Sequence, residues 1–175
     1  MRTHHHRHAF SLIELAVVVA ITGILAIAAL PAFRTLDDAR RAAAAAEVER
    51  QVLNTRSAAM SLGQSVGLRV DPSNGTFQRY IIPRGGGTPE RFTSPLGTPE
   101  EALILGVQFP GAAIVGVTGG DGFTGSSTLW FGHDGTPELR AGNGTRLGGF
   151  TQDASIRLTD GYRIDVTRIS GRISR

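Results

Sequence analysis

The sequence predicts an α+β chain: a long N-terminal helix, membrane-spanning in its first half and amphipathic in its second, packed on a C-terminal antiparallel β-sandwich of about seven strands. Three features predict it. Residues 10–30, FSLIELAVVVAITGILAIAAL, are almost wholly apolar, with Glu14 the one acidic residue. Residues 32–62 contain neither Gly nor Pro. From Gln64 onward, short runs rich in Val, Ile, Thr and aromatic residues alternate with Gly-, Pro- and Asp-rich turns.

The first nine residues, MRTHHHRHA, are basic and His-rich, carry no acid and end in the small residue Ala9. A secretory signal has its cleavage site after the apolar run. Here the small residue comes before it, so a cut at that point leaves the apolar helix on the mature chain. Arg7 interrupts the histidines and no linker follows them, unlike a purification tag.

A helix over 10–30 is roughly 31 Å long, which matches the roughly 30 Å hydrocarbon core of a bilayer. The segment shows no polar face, so it reads as a membrane span. Glu14 is the anomaly. A charge at the centre of a span costs about 2.5–3.5 kcal/mol, and such charges are kept when they have a partner. Glu14 lies about one turn inside the apolar start, near the interface, where the cost is lower.

Ala9 followed by FSLIELAVVVAITGILAIAALPAF resembles the N-terminus of the type IV pilin and pseudopilin superfamily. The resemblance implies that a prepilin peptidase cuts between Ala9 and Phe10 and that the new amine of Phe10 is methylated. SLIE, from Ser11 to Glu14, matches the segment holding the family's glutamate. The usual residue before the cut is Gly; here it is Ala9. Cutting before Phe10 creates a cation at the bilayer edge. If Glu14 faces the Phe10 amine of an adjacent subunit, two costly charges neutralise one another and fix the axial register of packed helices. The alternative is that Glu14 snorkels to the interface of an isolated anchor helix.

Pro31 removes one backbone donor and crowds the carbonyl of Ile27, so a kink is expected there. The family carries a proline at this place too. The helix then continues through 31–62 with Ala, Glu, Arg and Leu, strong helix formers. Ala45, Val48, Val52, Thr55, Ala59 and Leu62 recur every three or four residues, with Leu53 and Met60 widening the stripe. The stripe predicts docking on the chain's own β domain, since no sustained heptads point to a coiled coil. Gly63 stands where a C-cap glycine belongs.

The β-rich domain, 64–175, reads as seven runs: SVGLRV, TFQRYIIP, LILGVQF, AAIVGV, STLWF, ASIRLT and YRIDVTRI. The turns between them include DPSNG, RGGGTP, HDGTPE and AGNGT. LNTRSAAMSLGQSVGLRVD, STLWFGHDGTPE and the closing YRIDVTRISGRISR resemble segments of the GspH/FimT-like minor pseudopilins. The loops 84–101 and 119–125 match no segment of that family.

Composition narrows the functional classes. With no Cys, neither a disulfide nor a thiolate site is available. All 18 basic residues are Arg. The formal charge of +3 falls to +1 once Arg2 and Arg7 leave with the leader, which gives no global attraction to DNA. Gly120 to Gly125 satisfies GxGxxG, but strand and turn residues follow where a dinucleotide site needs a helix. His133 and Asp134 read as a surface turn, and Asp121, Asp134 and Asp153 lack the spacing of a calcium loop. No catalytic, metal or cofactor constellation emerges.

The resemblance implies a non-enzymatic minor pseudopilin, assembled through its N-terminal helix into the periplasmic pseudopilus of a type II secretion system. Its partners would be other pilins or pseudopilins, the prepilin peptidase, and the membrane before assembly. It would cross the bacterial inner membrane once, N-terminus in the cytoplasm and C-terminal domain in the periplasm. The alternative is a FimT-like type IV pilus minor pilin that binds DNA during uptake. Arg163, Arg168, Arg172 and Arg175 on the C-terminal segment would then meet phosphates.

Overall fold

A computed structural model describes residues 11–94, 97–120, 123 and 125–175, with the side chains of 29–34 excepted. Helix α1 runs from Leu12 to Leu62, 51 residues. It ends as the glycine predicts. Gly63 takes φ 62°, and the Gln64 amide donates to the Ala59 carbonyl at 3.3 Å, the closure that satisfies last-turn carbonyls.

The chain divides into two compact units, Met1–Asp38 and Ala39–Arg175. In the first, every described side chain from Ser11 to Ala28 is exposed. Among the described residues, no helix is long and apolar enough to cross a membrane. The expected span at 10–30 includes Phe10, outside the described residues, and Ala29 and Leu30, whose side chains also lie outside them. The element is continuous across Pro31, whose side chain is likewise outside.

In the second unit, α1 buries Ala44, Ala45, Val48, Val52, Thr55 and Ala59. Leu53 and Met60 are exposed instead of widening the stripe, and Leu62, expected as its last member, is exposed as well. Leu53 and Met60 each follow a buried residue by one position, about 100° further round, which carries them off the docked face. The Thr55 hydroxyl, fully buried, donates to the Gln51 carbonyl at 2.7 Å.

Two sheets complete this unit. The larger has seven strands: β1 (Val66–Asp71), β2 (Thr76–Ile81), β3 (Glu90–Arg91), β4 (Leu103–Ile104), β6 (Ser127–Phe131), β7 (Pro137–Arg140) and β8 (Arg146–Gly149). Its order is β3-β2-β1-β6-β7-β8, with β4 also on β2. The smaller takes β5 (Ile114–Gly119), β9 (Ala154–Leu158), β10 (Arg163–Val166) and β11 (Ile173–Ser174), in the order β11-β10-β9-β5. All pairings between strands are antiparallel. One buried cluster joins Val48 and Val52 of α1 to Leu68, Leu129 and Phe131 of the large sheet and Ile156 and Ile164 of the small one.

Two of the sequence segments are also read differently in the structure. LILGVQF is not one strand, because after β4 the chain turns into the short helix α2 (Leu105–Gln108). HDGTPE is a turn only as far as Thr136. Pro137 opens β7 opposite Phe131, a strand start where proline's missing amide is tolerated.

Candidate functional site

The site begins at the first turn of α1. The Glu14 amide donates to the Ser11 hydroxyl at 3.2 Å and to the Ser11 carbonyl at 3.1 Å. Ser11 is therefore the N-cap and Glu14 the third helical residue, the S-x-x-E arrangement of a capping box. A carboxylate in the first turn also complements the helix dipole. Reading SLIE for its glutamate alone missed the serine; the three-residue spacing was the available signal. Ala9 and Phe10, the expected cut and methylation positions, lie outside the described residues.

Beyond the cap stands an apolar surface with no partner among the described residues. Leu12 is 87% exposed, Ile24 68% and Ile27 71%. Leu15, Val17, Val18, Val19 and Ile21 are exposed as well, so apolar side chains cover the helix all round. Thr22 does not break that surface chemically. Its hydroxyl donates to the Val18 carbonyl at 2.7 Å, so its proton is used within the helix. A helix of this kind needs lipid or other apolar helices around it.

In the second unit, polar ties hold α1 in place. Arg41 pairs with Asp160 at 2.9 Å. Arg56 donates to the carbonyls of Gly135 (3.1 Å) and Ser170 (3.0 Å), joining the helix to two turns far apart in sequence. Gly171 is required at that junction, since a Cβ would lie 2.3 Å from the Gly135 carbonyl oxygen. Glu138, 5% exposed, is neutralised by Arg140 at 2.7 Å and Arg146 at 3.0 Å and accepts from the Ser65 hydroxyl at 3.1 Å.

The four C-terminal arginines are exposed, and two are engaged internally. Arg163 pairs with Asp165 at 2.6 Å. Arg168 donates its guanidinium to the Thr151 carbonyl and its amide to Asp153 at 2.8 Å. Arg172 and Arg175 make no ion pair among the described residues. Asp134 serves its turn, accepting from the amide (3.0 Å) and hydroxyl (2.7 Å) of Thr136. No group of three or more metal-ligating side chains occurs among the described residues. Strand β6, not a helix, follows Gly125.

Residues 4–30 match the family described as the prokaryotic N-terminal methylation motif. No curated protein matches the chain. The structure is similar to that of the minor pseudopilin EpsH from the Type 2 Secretion System of Vibrio cholerae, with a TM-score of 0.54 and 11% identity. The match covers 77% of this chain and 94% of that one. At that identity the likeness is one of fold. An N-terminal methylation motif, carried ahead of a helix and two-sheet domain with a pseudopilin-like fold, supports placing this chain among type IV pilin-like and pseudopilin subunits.

Proposed function

We propose that the chain is a minor pseudopilin of a type II secretion system. Prepilin peptidase cuts between Ala9 and Phe10 and methylates the new amine. The helix at 10–30 holds the subunit in the inner membrane, with the β domain in the periplasm, until it joins the pseudopilus. The kink expected at Pro31 belongs to the same reading. One observation carries the proposal: within a matched methylation motif, the side chains of 12–28 form an apolar surface exposed on every side.

Glu14 has two distinct tasks under this reading. Locally its backbone amide is held by the Ser11 cap. Between subunits its carboxylate pairs with the Phe10 amine of a neighbour and sets register. Ser11→Ala removes the cap alone, costing roughly 1 kcal/mol of helix start, while Glu14→Gln leaves the Ser11 cap in place and removes the charge. The expected result is that both variants enter the membrane and are cut, and only Glu14→Gln is lost from cross-linked pseudopilus fractions. Mass spectrometry of the mature parent should find a methylated Phe10 at the N-terminus. An intact leader, or Glu14→Gln incorporated as well as the parent, would defeat the proposal.

The DNA-binding alternative is less favoured, because Arg163 and Arg168 already have internal partners. The full chain is expected to elute from immobilised duplex DNA at low salt. Retention that falls steeply with salt and vanishes in an Arg172→Ala, Arg175→Ala variant would reverse that ranking.

A further inference from the structure

The large sheet comes apart between two of its strands. β6 and β7 pair only at Trp130–Glu138 and Phe131–Pro137, although β6 starts at Ser127 and β7 runs to Arg140. Ser127, Thr128 and Leu129 pair with β1 on one side and have no strand partner on the other among the described residues. β7 meanwhile turns away with β8, where the register shifts between Leu139 and Arg140. A groove of about 380 Å³ lies at this fork, within the roughly 300–1,000 Å³ of sites that take ligands. Ser127 and Thr128 line one bank, Leu139 to Gly142 the other.

Its chemistry is specific. Trp130, Tyr80, Phe123 and Phe150 contribute to the lining. Gly67 pairs with both Tyr80 and Trp130, and a Cβ there would lie 2.5 Å from the indole, so the bare glycine lets the ring lie across β1. Two arginines line the groove, and none of its described lining residues is acidic. Arg140 is spent on Glu138, the Gly144 carbonyl and the Ser65 hydroxyl. Arg69 is exposed, and its side chain has no hydrogen-bond or ion-pair partner among the described residues.

A free strand edge, an aromatic wall and an uncommitted guanidinium are complementary to three parts of one ligand. We infer that the groove between β6 and β7 docks an extended peptide of another protein, one offering a large apolar side chain next to a carboxylate. The peptide backbone runs along Ser127 and Thr128, both half-buried, and supplies the hydrogen bonds β7 leaves unmade, stopping short of the fully buried Leu129. Its apolar side chain packs against the half-buried Tyr80 and the small accessible part of Trp130, which is 5% exposed, residue types that dominate peptide and protein interfaces. Its carboxylate meets Arg69 in a charge-assisted pair. This site lies within 39–175 and is independent of the assembly chemistry at Glu14.

Trp130 is the single tryptophan of the chain, so its emission reports on the groove directly. The test titrates the full chain in detergent micelles with an end-capped Thr-Val-Phe-Asp-Val-Thr peptide. Controls are the Asn-for-Asp peptide and a peptide N-methylated at alternate residues. The expected result is a saturable change in Trp130 emission, weakened at least about tenfold by the Asn peptide, by N-methylation and by Arg69→Glu. Arg69→Glu must keep the parent's unliganded emission and melting temperature; Arg69→Gln serves if it does not. Three results would each overturn the inference: no saturable change up to millimolar peptide, equal binding of the Asn or N-methylated peptide, or an emission change that tracks self-association by sedimentation without peptide.

Discussion

One helix is built by two opposite rules. Between Leu12 and Ala28 every side chain is exposed and nearly every one is apolar. Between Ala44 and Ala59 one face is buried, with Ala44, Ala45, Val48, Val52, Thr55 and Ala59 each at most 1% exposed, while Leu53 lies off it. The difference lies in what each stretch can solve alone. The second finds its partner in the same chain, because Val48 and Val52 close a core whose other walls are the two sheets. The first has no such partner among the described residues, and under the proposed function lipid or neighbouring helices would supply it. Under the proposed function, folding and assembly are therefore separable properties of one continuous element.

The largest effect should come from putting the same charge into each half. Val52→Asp buries a carboxylate with no partner in the core and should cost at least about 3 kcal/mol, enough to abolish the cooperative melt of the full chain in detergent. Val18→Asp should leave that melt unchanged while reducing membrane insertion, at a cost of about 2.5–3.5 kcal/mol. A melt lowered equally by both would erase the distinction. A smaller effect tests how the second half is pinned. Arg56→Ala frees the carbonyls of Gly135 and Ser170 and should cost about 1–2 kcal/mol, since the guanidinium is only partly buried. Chemical denaturation should show a lowered midpoint with an unchanged slope.

The two halves were also unequally legible. The docked stripe was readable because α-helical periodicity needs no tertiary knowledge: Ala45, Val48, Val52, Thr55 and Ala59 are all buried as their spacing requires. Leu62 breaks the rule since the helix closes at Gly63, past the end of the docked face. Strands β3, β7, β8 and β11 escaped notice for a different reason. Residues such as Glu138 and Gly148–Gly149 carry no strand preference, and their pairing is imposed by the adjacent hairpin strands, β6 on β7 and β7 on β8. A buried glutamate in a strand is intelligible only once Arg140 and Arg146 are seen beside it. The groove at the β6–β7 fork was illegible too, because a missing pairing leaves no residue pattern. At the N-terminus the reverse holds: the motif is local, and Ser11 and Glu14 meet within one turn.

The smallest effect follows from acid, and it should touch only the second unit. Asp71 ends β1 at the entry to the β1–β2 turn, and Asp134 sits in the β6–β7 turn. The Ser73 hydroxyl holds the Asp71 carboxyl below its usual 3.8, aided by Asn74 and by backbone amides. The Thr136 hydroxyl, then its amide, does the same for Asp134. A carboxylate whose folded value is depressed contributes stability above its unfolded value, and that contribution is lost as the pH falls through the folded value. The turns should therefore loosen only below about pH 3.8, with no change between pH 5 and 7. Both groups are exposed, so carboxyl chemical shifts are a better readout than melting. Ser73→Ala should move the Asp71 midpoint up toward 3.8 and leave Asp134 unmoved, and Thr136→Ala should do the converse. Midpoints that stay put in both variants would mean that the hydroxyls do not stabilise these turns, and that their backbone geometry alone does.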